Sequence, residues 1–200
     1  MMPETTVLEK IRTHFTEGAA VRQMTHEACA EPIRQAAQLL VDRLSAGGKL
    51  FLCGNGGSAA DCQHMAAELV SRMTREIERP GFPVLALTTD TSFLTAFAND
   101  YGYEGVFERQ LEAFAHPGDV LIGISTSGNS ENVVRAVLKA KATGIHTIVL
   151  TGSGGKLRGL ADIAIAVPST DTQYVQEMHI AIEHLLCFFV EHTIYGPLGS

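Results

Sequence analysis

Apolar residues gather in five short runs along the chain: Leu50–Cys53, Val84–Thr88, Val120–Ser125, Thr147–Leu150 and Ile163–Val167. Each is bounded by Gly, Pro, Asp or Ser and is too short for a buried helix, so each predicts a strand. The segments between them are longer and carry apolar residues at helical spacing. In Ala30–Ala46, the residues Ile33, Ala36, Ala37, Leu40 and Leu44 fall on one stripe, and Ser58–Met73 and Ser130–Thr143 share the period. Thr172–His192 repeats it at Met178, Ile182, Leu185, Leu186 and Phe189. Alternating β and α units predict an α/β fold: a three-layer sandwich in which a five-stranded parallel sheet of Rossmann-like topology is flanked by helices. Its crossovers should be right-handed. In such sheets ligands bind beyond the carboxyl ends of the strands, so the turns at that edge come first as candidate sites.

A chain of 200 residues suits a single domain, here with a helical N-terminal region over about 1–47 and a long C-terminal helix over about 172–193. With 46% hydrophobic residues it is no disordered chain. Lys plus Arg number 15 against 22 Asp plus Glu, a formal net charge of -7. Phosphate backbones require a basic face, so nucleic acid is not an expected partner. No apolar run approaches the ~20 residues of a bilayer-spanning helix, so no membrane partner is expected either. Met1–Arg12 is polar and charged and lacks the apolar core of a signal peptide. Cys29, Cys53, Cys62 and Cys187 form no CxxC pair. The expectation is a cytoplasmic protein with reduced thiols.

Two turns carry candidate chemistry. After the first strand comes Gly54-Asn55-Gly56-Gly57-Ser58 and then a helix, with Ser58 the expected N-cap and Asp61 a capping-box partner. After the third comes Ser125-Thr126-Ser127-Gly128-Asn129-Ser130, which also opens a helix and brings four hydroxyls together. Glycines let backbone N–H groups approach a ligand, and a helix N-terminus favours an anion. Hydroxyls and amides of this kind hold a phosphate without a lysine. Three rival motifs fail. Gly54 to Ala59 matches GxGxxA, but the second strand ends far beyond the acidic position that pattern requires. The stretch "TGSGGKL" has Leu150 and Leu157 where a P-loop needs Gly and Ser or Thr, and HExxH is absent.

His64 and Glu68 are four residues apart and stack on one helical face. On the last helix, Gln176 and His184 lie about 80° apart around an ideal helix, so both can border one cleft. Two imidazoles, a carboxylate and an amide oxygen suit zinc, which takes N and O ligands. An exposed His/Glu pair at this spacing is also the ordinary composition of a solvated face, and His179 with Glu183 has the same spacing. Periodicity does not say which pair faces the cleft. Asn99-Asp100, after the helix-like run Leu94–Ala98, reads as a loop able to hold sugar hydroxyls or as a helix-ending turn. Arg72, one turn past Glu68, reads as structural, pairing with an acid or with a neighbouring subunit.

Taken together, "CGNGGSAADCQHMAAE", "AFANDYGY", "GDVLIGISTSGNSENV" and "VQEMHIAIEH" resemble the sedoheptulose 7-phosphate isomerase (phosphoheptose isomerase) branch of the sugar isomerase (SIS) superfamily. The resemblance runs from about Leu50 to His184. It implies a SIS domain assembled as a homotetramer with active sites at subunit interfaces. It implies conversion of D-sedoheptulose 7-phosphate into D-glycero-D-manno-heptose 7-phosphate, a precursor of the lipopolysaccharide core and related heptose products. Carried over residue by residue, phosphate binding falls on Ser125, Thr126, Ser127 and Ser130. Substrate contacts fall on Asn55, Gly56, Gly57, Asn99, Asp100, Glu68 and Gln176, with Ser58 close by. One zinc per subunit falls to His64, Glu68, Gln176 and His184, and the acid/base roles to Glu68 and His184. The alternative is a SIS-type module that binds a protein partner such as a replication initiator. The superfamily member of that kind resembles this chain in its turns but lacks the counterparts of Glu68 and His184, which favours the enzyme.

Overall fold

The computed structural model describes residues 3–196; the first two residues of the expected N-terminal helical region and the last four of the chain lie outside them. In chain order the elements are α1 (Glu4–Ser45), β1 (Leu50–Gly54), α2 (Gly57–Val70), β2 (Val84–Ala86), α3 (Thr91–Tyr101), α4 (Val106–Phe114), β3 (Val120–Ser125), α5 (Glu131–Ala142), β4 (His146–Thr151), β5 (Ile163–Ala166) and α6 (Thr172–Tyr195). The five strands form one sheet in the order β2-β1-β3-β4-β5, and every pairing is parallel. All five expected strands are present, β2 ending two residues early at Ala86.

Every residue of β1 and of β3 is buried, which is why these strands read as unbroken apolar runs rather than alternating ones. Their side chains divide between two cores. Leu50, Leu52, Val120, Ile122 and Ile124 face a layer built from α1, α2 and α6. Phe51, Cys53 and Leu121 face a second layer with Phe107 and Leu111 of α4 and Val133 and Val137 of α5. Gly123 lets α5 lie close, since a Cβ there would come within 2.8 Å of Val133 Cγ1. The expected three-layer sandwich is therefore the fold.

α1 is longer than its apolar stripe. It runs 42 residues, through Pro32, and its buried positions begin only at Val21. The outer half leaves Leu8, Ile11 and Phe15 exposed, Phe15 at 73%. Asp171 caps α6, accepting a hydrogen bond from Gln173 N at 2.9 Å, and Asp90 caps α3 through Phe93 N at 2.9 Å.

Candidate active site

The chain leaves β1 to one side of the sheet, reaching β2, and then crosses to β3 on the other side. The point where the strand order reverses lies between β1 and β3, and the region beyond the carboxyl ends there is where sheets of this kind bind their ligands. Both candidate turns border that point. They are tied together by a reciprocal pair of hydrogen bonds, in which the Asn55 and Asn132 side-chain amides each donate to the other's oxygen at 2.9 Å.

The first turn enters its helix earlier than expected. Gly56 has φ of 56° and takes the N-cap position, so α2 begins at Gly57 with no side-chain cap. That positive φ favours glycine and turns the chain into the helix ahead of Ser58. Ser58 is thus not the N-cap. It is 3% exposed and packs under Gly54, where a Cβ would come within 2.8 Å of Ser58 O. Asp61 makes no capping-box bond either: its Oδ2 is buried without a partner, and burial pushes its carboxyl up to about 6 against a smaller pull from His64. Gly56 and Gly57 are exposed. The Gln176 amide of α6 lies over Gly57, so close that a Cβ there would sit 2.5 Å from Nε2.

In the second turn three of the four expected hydroxyls converge. Ser125 Oγ lies 3.0 Å from Ser130 Oγ and 3.4 Å from Ser127 Oγ. Ser130 occupies the N-cap of α5 but its side chain makes no cap bond, because its hydroxyl turns to Ser125 instead. Thr126 is half-buried and its carbonyl accepts from Gly152 N at 3.0 Å. The stretch rejected as a P-loop braces this turn. Gly128, at φ of 65°, packs on Gly154 and Gly155 so tightly that a Cβ would meet Gly154 O at 2.5 Å. Leu157 N donates to Gly128 O at 3.1 Å, and Lys156 N to Asn129 Oδ1 at 3.1 Å.

Across the α2–α6 seam, His64 and His184 meet, Nε2 to Nε2, at 2.7 Å, with ring planes at 73°. Glu68 Oε1 lies 3.8 Å from His64 Nε2. These side chains are neither in the core nor free in solvent: His64 is 37% and Glu68 23% exposed. His179 and Glu183 turn the other way and are fully buried. Burial pushes His179 down to about 4, its Nε2 lying 3.2 Å from Thr151 O. The pair that periodicity left in competition with His64 and Glu68 therefore belongs to the core. Asn99 and Asp100 form no loop; both lie on the last turn of α3, exposed, with Asn99 Nδ2 donating to Asp100 Oδ1 at 2.9 Å. Arg72 pairs with Glu78 at 3.2 Å on the surface, one of the two roles its position suggested. Among the described residues, no three His, Cys, Asp or Glu side chains already surround a common metal position. What converges is two imidazole nitrogens beside one carboxylate.

The SIS domain family model matches residues 13–152, which defines the class. The chain is 49% identical to the phosphoheptose isomerase of Maridesulfovibrio salexigens over 196 residues, covering 98% of this chain and 95% of that one. It is 55% identical to the phosphoheptose isomerase of Akkermansia muciniphila over 168 residues, 84% and 88% of the two chains. The solved phosphoheptose isomerase from Neisseria gonorrhoeae superposes with a TM-score of 0.86 at 44% identity, covering 92% of this chain and 98% of that one. Within the SIS class, the chain belongs to the phosphoheptose isomerase family, and it is an aldose–ketose isomerase. The protein-binding alternative gives way to an enzyme.

Proposed function

We propose that the enzyme converts D-sedoheptulose 7-phosphate into D-glycero-D-manno-heptose 7-phosphate, supplying heptose for the lipopolysaccharide core. The observation that carries this reading is the meeting of His64 and His184 beside Glu68, in a chain that also gathers the Ser125, Ser127 and Ser130 hydroxyls at the carboxyl end of β3. Moving a carbonyl from C2 to C1 takes one proton and returns another through an enediol. Glu68 and His184 are the acid/base pair, a carboxylate and an imidazole that take and return the proton. Ser125, Thr126, Ser127 and Ser130 hold the phosphate at the N-terminus of α5. That grip on the far end of a seven-carbon chain orients C1 and C2. Asn55, Gly56, Gly57, Asn99, Asp100 and Gln176 meet the sugar, with Ser58 behind them.

The donor set of His64, Glu68, Gln176 and His184 fits zinc, one ion per subunit: two imidazole nitrogens, a carboxylate and an amide oxygen, two of them already facing each other. When bound, zinc supplies Lewis-acid stabilisation of charge developing on the substrate oxygens. The enzyme acts in the cytoplasm as a homotetramer with active sites at subunit interfaces. The unpaired buried thiols Cys29, Cys53, Cys62 and Cys187 support the first. The apolar residues left bare on α1 (Leu8, Ile11, Phe15) and α6 (Leu185, Phe188, Phe189) support the second.

The deciding experiment assays purified protein with sedoheptulose 7-phosphate and with unphosphorylated sedoheptulose, as prepared, after chelation and after zinc is restored. Turnover of the phosphorylated ketose alone, lost on chelation and recovered with zinc, is expected. No turnover under any of these conditions overturns the reading. Ser130→Ala is expected to raise KM about tenfold, the loss of one hydrogen bond to a charged group, while the melting temperature moves little. Unchanged KM would remove the serine cluster from phosphate binding.

A further inference from the structure

The α2–α6 seam is held at a second point, below the imidazole contact. After α2 the chain folds back through residues 71–83, and from there Arg79 reaches into the interior. Its side chain and that of Glu191 on α6 are both 0% exposed, with Arg79 Nε 2.9 Å from Glu191 Oε1. The rest of the guanidinium serves the end of α2: Nη2 donates to the Glu68 carbonyl at 3.0 Å and Nη1 to the Leu69 carbonyl at 2.8 Å. These are carbonyls that a helix C-terminus leaves without partners. The ring of Phe82 lies 4.5 Å beneath the guanidinium carbon. Glu191 is filled from the other side, by Met73 N at 3.0 Å, Thr74 N at 2.8 Å and Thr74 Oγ1 at 2.7 Å. Burial raises its carboxyl, but these donors and Arg79 outweigh that and hold it below the usual carboxylate range.

A buried ion pair is poor value as a source of stability, since taking both charges out of water offsets most of their attraction. What it supplies is directional constraint. Glu191 is two helical turns past His184 and on nearly the same face of α6, about 10 Å along the axis. Arg79 is bonded to the backbone of Glu68 itself. We propose that Arg79 and Glu191 are positioning residues for the isomerisation, fixing α2 against α6 so that Glu68 faces His184 in register. The inference rests on the acid/base roles proposed above. A guanidinium is needed because one planar group must reach a carboxylate and the carbonyls of Glu68, Leu69 and Pro80 at once; an ammonium cannot span that set.

The test is steady-state kinetics of Arg79→Lys and Glu191→Gln with sedoheptulose 7-phosphate, beside melting curves of both. The assay temperature is one at which each variant is fully folded. The expected result for Arg79→Lys is kcat lowered about tenfold with KM within twofold of the parent, because the phosphate site on α5 is untouched. Glu191→Gln, which keeps the shape and loses the charge, is expected to lower kcat less. Should Arg79→Lys fail to fold, the same readings are taken on Glu191→Gln alone. Unchanged kcat in a folded variant, or kcat and KM impaired together, overturns the proposal. If Glu68→Gln itself keeps its turnover, the acid/base reading has failed; if it loses turnover while Arg79→Lys keeps kcat, only the positioning role has.

Discussion

Glu68→Gln and His184→Gln are each expected to lower kcat by about 10³-fold, with circular dichroism and melting temperature close to the parent. Gln keeps the volume and hydrogen-bonding reach of Glu but neither accepts nor returns a proton at neutral pH. In place of His it leaves an amide with the same limitation. The fold should survive because neither side chain belongs to the core: the Glu68 side chain is 23% exposed, His184 is half-buried, and the residues that bury α6 are its neighbours Ile182, Leu186 and Cys187. The measurement is kcat with sedoheptulose 7-phosphate at enzyme concentrations high enough to see a residual rate. Near-normal turnover in either variant rejects its role. Because the two act on the same two carbons, the double variant is expected to be little worse than either single one.

A second large effect should appear in stability rather than rate. Glu183 precedes His184 in sequence yet points into the core, where neither carboxylate oxygen has a hydrogen-bond partner. Burial, with Asp61 nearby adding to it, pushes the carboxyl from 4.5 up to about 9. Between those values the folded protein holds a proton that the unfolded chain has released, so stability falls as pH rises. Below the lower value both states are protonated and the penalty vanishes; above the upper it is complete. Each pH unit in the window amounts to about 1.4 kcal/mol, and the folded state therefore bears about 3 kcal/mol at neutral pH. Glu183→Met fills the same space without a titrating group. It is expected to raise the melting temperature by roughly 5–10 °C at neutral pH for a chain of this size, by little at pH near 5, and by more at pH above 8. Asp61 has a shift of the same sign that ends at about 6, so divergence above that point belongs to Glu183. Melting curves that stay parallel for parent and variant across this range would contradict the assignment.

Much of the frame could be read from local pattern. A strand buried on both faces has no alternation to hide it, and so β1 and β3 were plain as apolar runs bounded by turn residues. The serine cluster was plain for a related reason: a turn between a strand and a helix in a parallel sheet has one place to be, at the carboxyl edge. The first turn differs from its reading by two residues, because Gly56 at φ of 56° starts the helix where Ser58 looks the better cap. The outer half of α1 falls within the helical region expected over about 1–47, but that it runs unbroken into the apolar stripe as one helix was not legible, since its apolar residues meet no core in one copy of the chain. The supporting role of "TGSGGKL" carried no signal of its own; its glycines matter through the backbone of Gly128, a contact that sequence spacing does not encode.

Periodicity, composition and turn chemistry settled the α/β class, the strand positions, the two turns and the helical face on which His64 and Glu68 stand together, because each depends on residues within a few positions of one another. The choice of His184 over His179 as the partner of His64, the joining of Asn55 to Asn132 and the burial of Arg79 with Glu191 came with the packed molecule. Those pairs are separated by up to 120 residues, and which side of α6 meets α2 is set by how both helices cover the same face of the sheet, a matter of shape and burial that no short stretch of chain contains.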